Sequence, residues 1–224
     1  IEKIKKNKLI ENQTEIQKIC LHKLKLDPLP NPKSELWRLS NKSKFSNFLD
    51  YSVNKKDPKF DIPYPKNTQS TIRLIIGENC QIKLIKENYS IQQLSEYELN
   101  KYIKEQISSF DQNANWSDLL NLSLSSTKNI LGLKINGSKI PPIEIFSHAS
   151  KNALNAKTLI IFLEKNCDID LLQVNLGKDN SSLSQSTFFC LEENSSVNHG
   201  VVSYGEKKSH LLNSLNVIQQ KNSV

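Results

Sequence analysis

The 224-residue chain has no run of about eighteen apolar residues, so nothing in it reads as a membrane-spanning helix. Its opening, Ile1-Glu2-Lys3-Ile4-Lys5-Lys6, has neither the apolar core of a secretion signal nor an initiating methionine, and is expected to lie inside a longer or processed chain. Arginine is almost absent. Of 30 basic residues only Arg38 and Arg73 are arginine, and the lysines behind the net charge of +7 are scattered. Because reading phosphate or guanine favours the arginine fork, a solvated lysine surface is expected rather than a nucleic-acid face. Cysteine is sparse as well. Cys20, Cys80, Cys167 and Cys190 form no C-x-x-C pair, which excludes a zinc ribbon or a dense disulfide framework and suits reduced thiols in a cytoplasmic protein. There is no glycine-rich phosphate loop, since Gly132 and Gly137 stand alone, and no Ser/His/Asp set with hydrolase spacing.

What is present is a repeat in the last third. Ile161-Phe162-Leu163-Glu164-Lys165-Asn166 aligns with Phe189-Cys190-Leu191-Glu192-Glu193-Asn194 and then with Val217-Ile218-Gln219-Gln220-Lys221-Asn222. The asparagines Asn166, Asn194 and Asn222 fall 28 residues apart. A fixed period of this size marks units that each bury an apolar face on a neighbour. Every copy reads as a β-branched or aromatic run, a polar turn, and a second run such as Ile169-Asp170-Leu171-Leu172. Asparagine suits the turn because it tolerates the left-handed backbone. Two strands per coil, returning in one direction, predict a mainly β fold: a parallel, right-handed β-helix or solenoid over 129–224, continuing past Val224. The alternative from the same residues is an antiparallel sandwich. A solenoid broken off in the turn at Lys221-Asn222-Ser223-Val224 leaves an edge that further residues or a partner must cover.

Before the coils, 1–128 reads as a small α/β region of helices and a hairpin. An amphipathic helix is predicted over 11–26, with Ile16, Ile19, Cys20 and Leu24 on one face, ending at Asp27-Pro28. Residues 52–70, rich in Pro, Lys, Asn and Ser, read as a linker. Strands at 71–76 and 81–85 flank Gly77-Glu78-Asn79-Cys80 as a hairpin. Ser90 and Gln93 have capping-box spacing and predict a helix carrying Leu94, Leu99, Ile103 and Ile107, with a shorter helix from Trp116. Strands follow at 129–135 and 143–146, either side of a turn at Asn136-Gly137.

Between these elements, Leu29-Pro30-Asn31-Pro32-Lys33-Ser34-Glu35-Leu36-Trp37-Arg38-Leu39-Ser40 resembles an N-terminal signature of the SufD branch of the SufB/SufD family of iron–sulfur cluster assembly proteins. That signature runs Leu-Pro-x-x-Lys-x-Glu-x-Trp-Lys-Tyr-Thr. Leu29, Pro30, Lys33, Glu35 and Trp37 hold their places, Arg38 and Ser40 are conservative replacements, and Leu39 departs from the tyrosine. The order of elements is similar too, through Ile140-Pro141-Pro142-Ile143 into the coils, for about the first half of a SufD. Glu192-Glu193-Asn194-Ser195 resembles a family turn, and His199 and His210 fall where the family often has histidine. The resemblance implies a non-enzymatic scaffold that pairs with a SufB-like subunit, or with itself, and docks a SufC-like ATPase. It implies no cofactor bound by these residues, and a transient Fe–S cluster only on the full complex. The family's cluster-assembly residues lie late in the β-helix, so no catalytic or metal-binding residue transfers here.

Several single residues have plain structural roles open to them. His199, expected opposite Leu171 one coil back, reads as a satisfied core or half-buried histidine, since one imidazole without convergent ligands makes no metal site. His22 and His148 have no cluster around them. Cys190 reads as a core residue. Cys167, in a turn, would accept a persulfide only if exposed, and structural filling is the expectation. Trp37 is expected to be buried against the first helix, with Glu35 or Lys33 at its rim. A polysaccharide-active β-helix would need carboxylates converging on one face, and Asp168, Asp170, Asp179, Glu192 and Glu193 divide between turn and strand.

Overall fold

The computed structural model describes residues 17, 18, 22, 71–77, 82–84, 90–106, 130–152 and 154–224. The motif residues Leu29, Pro30, Lys33, Glu35, Trp37 and Arg38, the linker at 52–70 and the helix expected from Trp116 lie outside these. Gln17, Lys18 and His22 are helical, as the first amphipathic pattern predicts.

From Leu154 onward the chain alternates ten-residue strands with four-residue corners. The strands are β6 (Leu154–Leu163), β7 (Asp168–Gly177), β8 (Ser182–Leu191), β9 (Ser196–Gly205) and β10 (His210–Gln219). They pair in parallel at a constant offset of 28, Asp168 beside Ser196 and Ser182 beside His210. The fold is therefore a β-solenoid of about three turns, with two strands to the coil. Each corner has one residue with a left-handed backbone: Asn152, Asn166, Asn180, Asn194, Lys208 and Asn222, at φ between 54° and 59°. These positions recur every 14 residues, so the repeat seen in the sequence is two half-coils of one design. The amide of the last corner residue closes the turn onto the first carbonyl, as Cys167 does to Glu164 and Ser195 to Glu192. A positive φ at the third position is what this turn geometry demands, and asparagine meets it at low cost.

The earlier elements extend the same two sheets. They are β1 (Ile72–Ile76), β2 (Ile82–Leu84), β3 (Ile91–Gln93), α1 (Glu96–Gln106), β4 (Ile130–Ile135) and β5 (Ile143–Ala149). One sheet runs β2-β1-β5-β7-β9 and the other β10-β8-β6-β4-β3. The hairpin β1–β2 forms as predicted, with Leu74 opposite Leu84, and β1 also pairs in parallel with β5. The helix expected from Ser90 is displaced. Residues 91–93 pair antiparallel with β4 instead, and the capping box is Ser95-x-x-Glu98. There the Ser95 N–H donates to Glu98 Oε2 (2.8 Å) and the Glu98 N–H to Ser95 Oγ (3.3 Å). His148, expected after a strand, lies within β5, which is longer than predicted, and is buried.

Between the sheets, equivalent residues stack in columns: Leu133, Ile161 and Phe189 in one, Ile143 and Leu171 in another. This apolar half adjoins the corners at 164–167 and 192–195. The other half is polar and hydrogen-bonded: Thr187 Oγ1 donates to Gln173 Oε1 (2.8 Å), and Asn175 Nδ2 to Asn213 Oδ1 (2.7 Å). Outside the second sheet, α1 packs Leu99, Tyr102 and Ile103 against Ile160, Phe162, Phe188 and Cys190. Gly132 lets it approach, since a Cβ there would stand 2.8 Å from Leu99 Cδ1.

Candidate functional site along the solenoid corners

The corner asparagines come together as the repeat implies. Asn222 Nδ2 donates to Asn194 Oδ1 (3.2 Å) and Asn194 Nδ2 to Asn166 Oδ1 (3.4 Å), a ladder running along the solenoid axis. Charged side chains follow the same path: Lys165 meets Glu193 (3.3 Å) and Lys178 meets Glu206 (2.7 Å), each one coil apart. The Lys178 ammonium holds the Glu206 carboxyl below its usual range.

The outermost coil, β9 and β10, breaks the usual order of burial. In β10 the residues whose columns lead inward, Leu215 beneath which lies Thr187 and Val217 beneath which lies Phe189, are 52% and 46% exposed. Their outward neighbours Ser214, Asn216 and Ile218 are half-buried. On β9, Val201 continues the Gln173 column and is 45% exposed. Among the described residues β9 and β10 stand at one end of their sheets. Val224 already adds to β9, accepting from the Val197 N–H and donating to Ser195 O. On the outer side Val202 and Tyr204 are exposed as well.

His199 sits on the inner face of β9 beside Leu171, as its register requires, with its ring edge-on to Phe189 at 5.0 Å. It is half-buried, one of the two settings expected of it, and its Nε2 is without a hydrogen-bond partner among the described residues. Burial lowers its pKa, so the ring stays neutral. Both described thiols are buried and free. Burial pushes Cys167 up to about 11, with Asp168 and Glu164 adding to it, and Cys190 up to about 12. Neither thiolate forms readily near neutral pH, so both fill space, as expected. Cys190 faces α1 rather than the space between the sheets.

Asp168 and Asp170 share the outer face of β7, where Ser196 and Asn198 (2.9 Å) donate to them. Asp179 stands at the opposite corner, roughly 30 Å away along a ten-residue strand, and Glu192 and Glu193 lie in the 192–195 corner. Among the described residues no three His, Cys, Asp or Glu side chains gather as a metal site, and no helix is long and apolar enough to cross a membrane.

Two features escaped the sequence reading. Lys157, on the inner face of β6, is fully buried and donates from Nζ to Ile76 O (2.7 Å) and His148 O (2.9 Å), tying one sheet to the other. Arg73, one of the two arginines, pairs sideways with Glu144 (2.6 Å) and stacks over Phe146. No protein-family model matches the chain, and no curated protein matches it.

Proposed function

We propose that the chain is a scaffold subunit of a SUF-type iron–sulfur cluster assembly complex, acting by docking partners on a rigid solenoid rather than by catalysis. The observation that carries the docking reading is the solenoid itself, whose coils stack in strict 28-residue register as a rigid platform with no converging set of catalytic side chains among the described residues. The resemblance of Leu29–Ser40 to the SufD signature supports the choice of complex. On this reading the partners are a SufB-like subunit, with a homodimer as the alternative, and a SufC-like ATPase. The cluster is cargo of the complex, and the setting is cytoplasmic.

Co-purification tests it. The 224-residue chain and the full-length gene product are expressed in parallel with the SufB-like and SufC-like subunits. The full-length product is expected to retain the ATPase and the 224-residue chain to lose it, because the family's ATPase-docking helices follow the coils. Failure of the full-length product to retain either subunit removes the assignment.

A further inference from the structure

Asparagine serves this chain at two kinds of turn. At the corners it supplies the left-handed backbone, and at Asn136-Gly137 it stands in the only Asn-Gly pair of the sequence. Asparagine followed by a small residue is chemically labile, because the next backbone nitrogen can close on its carboxamide. The reaction needs that nitrogen and that carboxamide to meet, and the corners hold them apart. The Ser195 N–H donates to Glu192 O (3.1 Å) and the Ser181 N–H to Lys178 O (3.0 Å), the bonds that close the turns. Both serines are buried, at 1% and 0% exposure. The Asn194 carboxamide is tied down besides, donating to Asn166 and accepting from Asn222. The turn between β4 and β5 is built otherwise. Asn136 and Gly137 are exposed, and no hydrogen bond among the described residues engages the Asn136 carboxamide or the Gly137 N–H. Gly137 has φ 119°, a conformation that shuts out side chains, so no neighbouring Cβ shields the nitrogen. The Asn136 N–H meanwhile donates to Ser90 O (2.9 Å), fixing the turn to the start of β3.

We propose that Asn136 is a self-modification site, deamidated through a cyclic imide, and that the corner asparagines are spared by the same turns that require them. The Gly137 nitrogen gives up its proton and bonds to Asn136 Cγ, and the carboxamide nitrogen leaves as ammonia. Water then opens one of the two ring carbonyls. One opening gives aspartate, and the other gives isoaspartate, whose main chain runs through the side-chain carbon. Either product carries one more negative charge, and neither oxidant nor reductant takes part. Isoaspartate also lengthens the main chain by one carbon beside the bond from Asn136 to Ser90, so β3 loosens from β4. The site goes beyond the scaffold reading and stands whatever partners the solenoid docks.

The 224-residue chain is aged in mildly alkaline buffer and digested with trypsin. Peptides containing Asn136, Asn180 and Asn194 are followed by mass and by an isoaspartyl methyltransferase assay. Conversion is expected at Asn136 well ahead of Asn180 and Asn194. Because the Asn-Gly dipeptide is by itself the more reactive, Ser195→Gly separates place from sequence. It gives Asn194 the same dipeptide inside a closed corner and keeps the N–H that donates to Glu192. In that variant, once melting shows it folded, Asn194 is expected to convert roughly tenfold or more slowly than Asn136, since its corner must open first. In urea the gap is expected to close. Equal rates at the two sites of the folded variant overturn the protection by the corners. An Asn136 that stays intact in the folded chain and converts only in urea overturns the site. The aged, more acidic form is then separated by anion exchange, and amide exchange over 91–93 is expected to be faster in it. Unchanged exchange there overturns the loosening of β3.

Discussion

Six corner residues share the left-handed conformation, and five of them are asparagine. Lys208 is the exception, and a side chain of that length at φ 58° costs about 1 kcal/mol that asparagine or glycine avoids. Lys208→Asn is therefore expected to raise the urea midpoint, by the equivalent of about 0.5–1 kcal/mol, whereas Asn194→Ala should lower stability by about 1–2 kcal/mol through the same strain and two lost, exposed ladder bonds. His148 gives a pH signature. Burial first, and then the charges of Lys157 and Lys178, bring its pKa from 6.5 to about 3. A lowered pKa means the folded state refuses a proton that the unfolded chain accepts. The contribution of the neutral ring is thus complete above pH 6.5 and erodes as pH falls toward 3, at about 1.4 kcal/mol per pH unit. In His148→Leu the fall in unfolding free energy between pH 6.5 and pH 5, followed by urea titration, should be shallower by about that slope. His199 adds a second contribution of the same sign.

The helix α1 shows how elements were won and lost at the level of sequence. Ser90-x-x-Gln93 and Ser95-x-x-Glu98 both have capping-box spacing, and only the second caps a helix. The first failed because Ile91–Gln93 completes a sheet, and its backbone groups are taken up by β4. Ser95→Ala should destabilise the fold by about 1 kcal/mol and speed amide exchange through 96–106, while Ser90→Ala leaves that exchange unchanged. The coils were legible because their inner columns must be apolar and their corners need asparagine, which left Asn166, Asn194 and Asn222 in phase. The half-coil period stayed hidden because the opposite corner series reads Asn152, Asn180 and then Lys208, so the signature fails at its third step. Lys157 was invisible for a related reason. Ala156-Lys157-Thr158 carries no mark of burial, and the carbonyls of Ile76 and His148, 81 and 9 residues away, help make its interior place tolerable.

At the scale of the whole molecule, a solenoid is a stack in which each coil leans on its two neighbours, so a residue's worth depends on which coil holds it. The column Leu133, Ile161, Phe189, Val217 puts one chemistry at successive depths. Ile161 is wholly buried, with neighbours above and below, and Ile161→Ala should cost about 2–5 kcal/mol. Val217 has a coil on one side only and is 46% exposed, so Val217→Ala should cost about 0.5 kcal/mol or less. Amide exchange is expected to follow the same gradient, fastest in β9 and β10 and slowest in β6 and β7. Urea titrations of both variants of the 224-residue chain separate the depths: equal penalties at Ile161 and Val217 would mean that burial along this column does not set what each residue contributes.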